Sequence, residues 1–193
     1  MKKTTTLLLF FILVIACLSG CSDKKASTVE KIDAKTENDA SGANNTESVS
    51  FTTTDLDGNI KNENILDGHK ITMINIWATF CGPCRSEMPD LEKLSHAYGN
   101  EFQIIGIVTD VTDGNYNIIS SQRSSARSIL SSTGVTYTQL VLSESLNDLY
   151  ASDIQFVPTT LFVNESGDVI GEEYVGSKNY SEWKNIVDGL LGK

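Results

Sequence analysis

Hydrophobic positions in the chain form two kinds of pattern from residue 51 onward: continuous runs and a helical spacing. Continuous apolar and β-branched runs at residues 70–78, 102–108 and 159–163 predict buried strands. Between residues 83 and 99, apolar side chains recur at spacings of three and four, which predicts an amphipathic helix. Pro89 lies inside this helix and is expected to kink it, because proline has no backbone N–H to donate.

The other segments continue the alternation of predicted strands and helices. Shorter runs predict strands at residues 138–142 and 169–175, and helices at residues 116–132, 145–152 and 180–191. Turn-forming residues at 55–58 and 164–167 predict one hairpin before the first long strand and another between the last two strands. This order predicts an α/β fold in which helices flank a central mixed sheet that follows an N-terminal β-hairpin.

The first 20 residues have a different pattern, in which Lys2 and Lys3 precede an apolar run at residues 7–18. This arrangement is typical of a secretory signal peptide. As a helix the run would cover about 18 Å, whereas the hydrocarbon core of a membrane is about 30 Å thick. We therefore predict no transmembrane anchor in this run.

The run ends in Leu18-Ser-Gly-Cys21, which resembles the lipobox of bacterial lipoproteins. The resemblance implies cleavage after residue 20 and attachment of diacylglycerol to Cys21; a soluble exported protein cut nearby, or a chance cysteine, is the alternative. Residues 21–50 would then be the lipidated cysteine and a polar linker, which is expected to be disordered because it has little apolar surface to bury. The folded domain is predicted at residues 51–193.

The charge of the chain argues against nucleic acid as a partner. It has 15 lysines and arginines against 25 aspartates and glutamates, for a formal net charge of -10. No segment forms the basic stripe that would neutralise phosphates. The predicted lipid anchor instead makes a membrane surface the expected partner.

Four cysteines are present, and the predicted processing leaves two of them as thiols. Cys17 would leave with the signal peptide and Cys21 would be lipidated, so Cys81 and Cys84 remain, separated by Gly-Pro. At the start of a helix, free N–H groups and the helix dipole stabilise a thiolate. Cys81 is therefore predicted to have a lowered pKa and to be the exposed, attacking sulfur, while Cys84 points inward and resolves the mixed disulfide.

Other uses of the cysteine pair fit the sequence less well. A tetrahedral zinc site needs four ligands, and the two histidines, His69 and His96, lack ligand spacing. Haem attachment needs a histidine in the position of Arg85. A structural disulfide across two residues would constrain the unfolded chain little. We therefore expect thiol-disulfide exchange through a redox-active Cys81–Cys84 pair, with no metal and no other cofactor.

Motifs around the cysteines resemble those of a known family. The segments Trp77-Ala-Thr-Phe-Cys-Gly-Pro-Cys84 and Phe156-Val-Pro-Thr-Thr160 are similar to active-site sequences of the thioredoxin superfamily. Asn75 and Arg85-Ser-Glu-Met-Pro89 resemble its TlpA/ResA-like branch of membrane-tethered thiol-disulfide oxidoreductases. The resemblance covers residues 51–193 and implies a thioredoxin fold with a helix-strand insertion between residues 108 and 145.

The resemblance also implies roles for individual residues. Pro158 would follow a cis peptide bond and Val157 would offer its backbone to an extended substrate; a trans proline that opens a strand is the alternative. Glu87 would accept the proton of Cys84, because a partly buried carboxylate has a raised pKa. The alternative for Glu87 is a solvated residue that complements the helix dipole. Trp77 would form one wall of the site, or belong to the core.

Two positions depart from the family pattern. Plain thioredoxins carry a buried aspartate where this chain has Asn75, which makes Glu87 the expected substitute base. Phe80 stands in place of the tryptophan usual before the first cysteine, and its lack of an indole N–H is expected to change substrate contacts without changing the exchange chemistry. Trp183, in the last predicted helix, is expected to pack in the core.

These features predict a lipid-anchored, extracytoplasmic protein-disulfide reductase, because Gly-Pro between the cysteines resembles reducing thioredoxins. The resemblance implies an integral-membrane dithiol electron donor. It also implies substrates such as apocytochrome c, in cytochrome c maturation, or methionine sulfoxide reductases. A disulfide oxidase is the alternative. A peroxiredoxin-like peroxidase would prefer threonine in the position of Ala78, and a copper-binding module would prefer three residues between the cysteines.

Overall fold

The fold is described by a computed structural model, which describes residues 49–193 of the chain. The predicted signal peptide, the lipidation site at Cys21 and nearly all of the predicted linker lie outside the described residues. No helix in the described range combines the length and the apolar character needed to cross a membrane.

An N-terminal hairpin precedes the main sheet, as predicted. Its strands β1 (Thr52–Thr54) and β2 (Ile60–Asn62) pair antiparallel. In the turn, the Asp55 carboxylate accepts hydrogen bonds from the backbone N–H groups of Asp57 and Asn59, both at 2.9 Å. Gly58 takes up a positive φ of 90°, which glycine adopts without steric cost.

A five-stranded mixed sheet forms the centre of the fold. Its strands are β3 (Ile71–Trp77), β4 (Phe102–Val108), β5 (Gln139–Val141), β6 (Thr159–Val163) and β7 (Val169–Val175), in the spatial order β5-β4-β3-β6-β7. The β3–β4 and β4–β5 pairs are parallel, whereas β3–β6 and β6–β7 are antiparallel. The predicted mixed sheet is therefore confirmed.

Helices cover both faces of this sheet. They are α1 (Gly82–Ser95), α2 (Ser120–Thr133), α3 (Glu144–Leu146), which continues as a π-helical turn at Asn147–Ala151, and α4 (Tyr180–Leu191). Helix α1 contacts α2 and α4 on one face, and α3 contacts β1 on the other. Every residue of β3 is buried, because this central strand has packed layers on both sides.

Helix α2 begins at Ser120, whereas the sequence predicted a helix from residue 116. The side chain of Asp113 accepts hydrogen bonds from the backbone N–H groups of Asn115 and Asn117, and this turn takes the place of a first helical turn. Tyr116 within the turn has a positive φ of 59°. Local hydrogen bonds of an aspartate therefore override the helical pattern at these residues.

The segment between residues 108 and 145 contains α2 and β5, which is the helix-strand insertion that the resemblance implied. Strand β5 adds an edge to the sheet beside β4. Helix α1 includes Pro89 and continues to Ser95. The predicted kink at Pro89 stays a prediction.

Residues of β3 alternate between the two faces and so sort the core into layers. Ile74 and Ile76 pack toward α3 and the N-terminal hairpin, with Phe51, Leu146 and Tyr150. Trp77 lies in the cluster that contains both active-site cysteines. The carboxyl end of β3 therefore leads directly into the redox motif.

Candidate active site

A disulfide joins Cys81 and Cys84 at the start of α1, with a Cα–Cα distance of 5.3 Å. Cys81 is the N-cap of this helix, and its Sγ accepts a hydrogen bond of 3.1 Å from the backbone N–H of Cys84. An N–H that points at sulfur stabilises a thiolate more than a thiol. The local structure thus supplies the electrostatic environment that the sequence predicted for Cys81.

Both cysteines are enclosed in this oxidised form. Cys81 retains 5% of its surface exposed and Cys84 1%. Cys81 is more exposed than Cys84, as expected for an outer and an inner sulfur. Cys81 is nevertheless much less exposed than predicted. Its Sγ lies 3.4 Å from the carbonyl oxygen of Val157, which covers it on one side.

The Val157–Pro158 peptide bond is cis, as the resemblance implied, and it places the Val157 backbone beside the disulfide. Two aromatic side chains flank this backbone and are largely exposed: Phe80 at 76% and Phe156 at 68%. A groove of about 400 Å³ lies between them. Its lining includes Phe80, Leu142, Asn147, Ile154, Phe156 and Val157.

Glu87 lies on α1 three residues after Cys84 and is buried, with 3% of its surface exposed. Its Oε1 accepts a hydrogen bond from Asn75 Nδ2 at 3.0 Å. Its Oε2 accepts from the Lys178 backbone N–H at 3.1 Å and from the Trp183 indole N–H at 3.3 Å. The alternative of a solvated glutamate at the helix start is therefore wrong.

The pKa of Glu87 is raised above the ordinary value of 4.5 because burial disfavours the charged carboxylate. The hydrogen bonds from Lys178, Asn75 and Trp183 act in the opposite direction, but burial outweighs them. A carboxylate with a raised pKa is suited to accept a proton from a thiol near neutral pH. This environment fits the base that the resemblance implied.

Trp77 does not form a wall of a substrate groove, because none of its surface is exposed. Its position on β3 directs it under α1, into the apolar cluster that includes Cys81 and Cys84. Its indole N–H donates to Gln139 Oε1 at 2.8 Å. Of the two interpretations of Trp77, the core residue is the one that the structure supports.

Asp110 is a site residue that the sequence analysis missed. Its carboxylate accepts two hydrogen bonds from Thr79, one from the backbone N–H at 2.9 Å and one from the hydroxyl at 2.5 Å. Thr79 directly precedes Phe80 and Cys81, so Asp110 anchors the loop that presents them. The signal was available, because side chains that follow neighbouring parallel strands meet at one edge of the sheet.

Trp183 packs in the core as predicted, but it also binds Glu87, and that contact was not predicted. Its ring makes edge-to-face contacts with Phe162 and Tyr174. No sequence spacing connects Trp183 with Glu87, since α4 reaches α1 only through the folded chain.

The histidines that were considered as zinc ligands make other contacts. His96 lies 2.9 Å from Glu92 on the same helix, and His69 lies 3.2 Å from the carbonyl oxygen of Asp67. Among residues 49–193, no group of three or more histidine, cysteine, aspartate or glutamate side chains is arranged to hold a metal ion.

Solved structures of other proteins share this fold. A thiol:disulfide interchange protein of the thioredoxin family from Chlorobium tepidum is 25% identical, with a TM-score of 0.58, over 73% of this chain and 92% of that one. StoA from Bacillus subtilis is 14% identical with a TM-score of 0.55, over 72% of this chain and 97% of that one, and supports the fold alone. The thioredoxin-like fold is thereby confirmed.

Two curated proteins are similar in sequence to part of this chain. The thiol-disulfide oxidoreductase ResA from Halalkalibacterium halodurans is 33% identical over 124 residues, which cover 64% of this chain and 64% of that protein. The thioredoxin-like protein YneN from Bacillus subtilis is 28% identical over 119 residues, which cover 62% of this chain and 64% of that protein. In both, the match spans slightly less than two thirds of the relative's length.

A longer alignment joins the whole chain to ResA from Bacillus anthracis, with 25% identity over 204 residues that cover 100% of this chain and 98% of that protein. The names of these relatives support the expected class of thiol-disulfide oxidoreductases. A model of the Redoxin family matches residues 40–190, which is most of the chain. The chain therefore belongs to the Redoxin family and is a TlpA/ResA-like member of it.

Proposed function

We propose that this protein is an extracytoplasmic thiol-disulfide oxidoreductase that reduces disulfides in other proteins. The observation that carries the proposal is the position of the Cys81–Cys84 disulfide at the N-terminus of α1. There an N–H group points at Cys81 Sγ, the Val157 backbone lies beside it, and the buried carboxylate of Glu87 follows three residues after Cys84 on the same helix.

The reaction begins with the reduced pair. The Cys81 thiolate attacks one sulfur of a substrate disulfide, so that a mixed disulfide forms and one substrate thiolate leaves and takes up a proton. Cys84 then loses its proton and attacks Cys81 Sγ, which restores the disulfide seen here and releases the second substrate thiol. Two electrons pass from the Cys81–Cys84 dithiol to the substrate.

Glu87 acts in the second step as the proton acceptor for Cys84. The S–H bond of Cys84 breaks and an O–H bond forms on the carboxylate, so the negative charge moves from Glu87 to Cys84 Sγ and then leaves with the substrate thiolate, which takes up a proton from solvent. A raised pKa favours this transfer, because it brings the proton affinity of the carboxylate closer to that of a thiol. Glu87 returns its proton to solvent before the next cycle.

The direction of electron flow between the cysteine pair and its substrate follows from the redox potential of the pair. Gly-Pro between the cysteines resembles reducing thioredoxins, which lie near -270 mV, about 150 mV below a strong oxidant such as DsbA. That gap corresponds to about 7 kcal/mol for two electrons. A reductase outside the cytoplasm needs a renewed electron supply, and we assign this role to an integral-membrane dithiol donor. A lipid anchor on Cys21 would keep the two proteins on the same membrane.

The substrate would lie as an extended segment along the Val157 backbone, with an apolar side chain near its cysteine. Phe80 and Phe156 supply the exposed apolar surface for that side chain. Apocytochrome c and methionine sulfoxide reductases are the proposed substrates, and both offer cysteine pairs that a reductase of this kind could open.

A trapping experiment tests the proposal. Cys84→Ser removes the resolving sulfur, so mixed disulfides with substrates should accumulate on Cys81 and disappear on addition of dithiothreitol. Cys81→Ser is the matched control and should accumulate none. Equal trapping by both variants would contradict the assignment of the attacking sulfur.

Equilibration with glutathione buffers measures the redox potential of the Cys81–Cys84 pair and so tests the direction of electron flow. A potential within about 40 mV of -270 mV supports a reductase. A value near -120 mV would instead assign an oxidase to the same site. Cys21→Ala should release the protein from the membrane fraction if the lipid anchor is present, and unchanged membrane association would contradict the anchor.

A further inference from the structure

The groove of about 400 Å³ beside the disulfide, which we call the Val157 groove, has an uncharged lining. Apart from Phe80 and Thr109, every residue that lines it belongs to residues 142–157, between the end of β5 and the start of β6. Val157 is part of this lining, and its carbonyl oxygen lies 3.4 Å from Cys81 Sγ. A segment that occupies the groove therefore reaches the reacting sulfur, and selection by charge has to come from residues at the rim.

Two aspartates lie immediately beside the lining of the Val157 groove. Asn147, which lines the groove, donates from Nδ2 to Asp148 Oδ1 over 3.4 Å. Asp153 lies between Ser152 and Ile154, and both of these residues line the groove. Both aspartates are exposed. Neither forms an ion pair with another residue of the described range 49–193.

The chain around the groove supplies no cation to offset these charges. Residues 128–177 contain no lysine, arginine or histidine, but they contain seven aspartates and glutamates. By contrast, Asp57 in the hairpin turn pairs with Arg127 at 2.8 Å. Arg85, the first residue after the cysteine pair, lines a different groove, between Phe80 and α2. The rim of the Val157 groove therefore carries two negative charges that are unpaired within the described part of the chain.

We propose that the Val157 groove selects disulfide substrates in which a lysine or arginine follows closely on the apolar side chain that packs between Phe80 and Phe156. The apolar contact holds the segment beside Val157, and the cationic group faces Asp148 and Asp153 at the rim. Exposed charges of this kind steer the encounter and disfavour like-charged partners more than they add affinity. The inference rests on the proposed function, because it names the class of substrate for the same site.

Disulfide-linked peptide dimers test the inference. Each peptide has one cysteine, a leucine beside it, and lysine, glutamine or glutamate next to that leucine. The variable residue precedes the cysteine in one set and follows it in another, so that both directions along the Val157 backbone are sampled. The pre-reduced protein is mixed with each dimer, and release of the peptide thiol gives a second-order rate constant without a membrane donor. In one set, wild type at low salt should reduce the lysine dimer about 5–10 times faster than the glutamate dimer.

Two double variants show where the charge selection arises. Asp148→Asn with Asp153→Asn removes both rim charges and should lower the lysine-to-glutamate ratio to about twofold or less. Glu172→Gln with Glu173→Gln is the matched control, because it removes the same charge from exposed positions of β7 that do not line the groove. It should keep the wild-type ratio. All three proteins should reduce bis(2-hydroxyethyl) disulfide equally fast, because this small disulfide is uncharged.

Salt gives an independent measure on the wild-type protein. At about 1 M salt the Debye length is about 3 Å, so the lysine-to-glutamate ratio should approach one while the rate with the uncharged disulfide changes little.

Two results would overturn the inference. One is equal rates for the three dimers in both sets with wild type. The other is an equal loss of the ratio in the two double variants, which would show that net charge alone steers the peptides. Failure of the proposed function looks different. An oxidase would leave every dimer intact, and its oxidised form would instead form mixed disulfides with the peptide thiols, fastest with the lysine peptide; the charge selection would then stand with the direction reversed.

Discussion

The indole N–H of Trp183 donates to the carboxylate of Glu87 over 3.3 Å, which joins the last helix of the chain to the helix that carries both cysteines. Both side chains are buried. The same carboxylate oxygen also accepts the backbone N–H of Lys178, just before α4. The end of the chain therefore contributes directly to the environment of the redox pair.

Trp183→Phe is expected to raise the pKa of Glu87 further, because the carboxylate loses one N–H donor. The variant should also lose about 2–4 kcal/mol of unfolding free energy through the lost hydrogen bond and reduced packing. Urea unfolding measures the change in stability. Infrared titration of the carboxylic C=O band of Glu87, assigned by its loss in Glu87→Gln, measures the change in pKa as a shifted midpoint. Tyr174→Phe, in the same aromatic cluster, is the control and should leave the titration midpoint of Glu87 unchanged. An unshifted midpoint in Trp183→Phe would rule out the contact.

Glu87→Gln is expected to change how stability depends on pH. Because the folded pKa of Glu87 lies above 4.5, the folded protein binds more protons than the unfolded chain between 4.5 and that raised pKa. Wild-type stability should therefore fall as pH rises through this window, and the variant should lack this contribution. Urea unfolding at a series of pH values measures it.

Glu92→Gln provides a control of opposite sign. Burial tends to raise the pKa of Glu92, but hydrogen bonds from Thr136 and His96 outweigh burial and lower it. This group should therefore contribute stability above pH 4.5 that is lost as pH falls through its lowered pKa. The same slope in both variants would contradict the opposite environments of the two glutamates.

Asp110→Ala is expected to loosen the loop before Cys81, since the backbone N–H and hydroxyl of Thr79 both lose their acceptor. We expect a loss of about 1–3 kcal/mol in unfolding free energy and a changed alkylation rate of reduced Cys81. Asp113→Ala removes a similar aspartate from an exposed turn and should cost less unfolding free energy than Asp110→Ala. Equal losses in the two variants would show that Asp110 is not a special anchor.

Phe80→Ala and Phe156→Ala are expected to weaken the binding of protein substrates without lowering the stability of the fold. Both side chains are largely exposed, so their removal should change unfolding free energy by less than about 0.5 kcal/mol. KM for a protein disulfide should rise several-fold, while the rate with a small disulfide such as oxidised glutathione stays close to wild type. Ile60→Ala, exposed at 77% in β2, is the surface control. An equal loss with both kinds of substrate would argue against a docking role.

Much of the fold was readable from the chain because its signals are local. Continuous apolar runs, the helical spacing of three and four, turn residues at 55–58 and the Cys-Gly-Pro-Cys spacing each depend on neighbours within a few residues, and these elements were predicted correctly. The start of α2 was not, because the side chain of Asp113 competes for the same backbone N–H groups. Such competition depends on a side-chain conformation that periodicity does not describe.

By itself, the sequence determined the α/β order, the two sulfurs and the helix start that favours a thiolate, since all of these follow from short-range geometry. Only the tertiary structure decided that Glu87 is buried rather than solvated and that Trp77 packs in the apolar cluster that contains both cysteines. Those facts depend on which strands lie side by side and which helix packs above them. Burial and pairing of that kind arise between residues far apart in the chain, and they set the pKa values on which the chemistry depends.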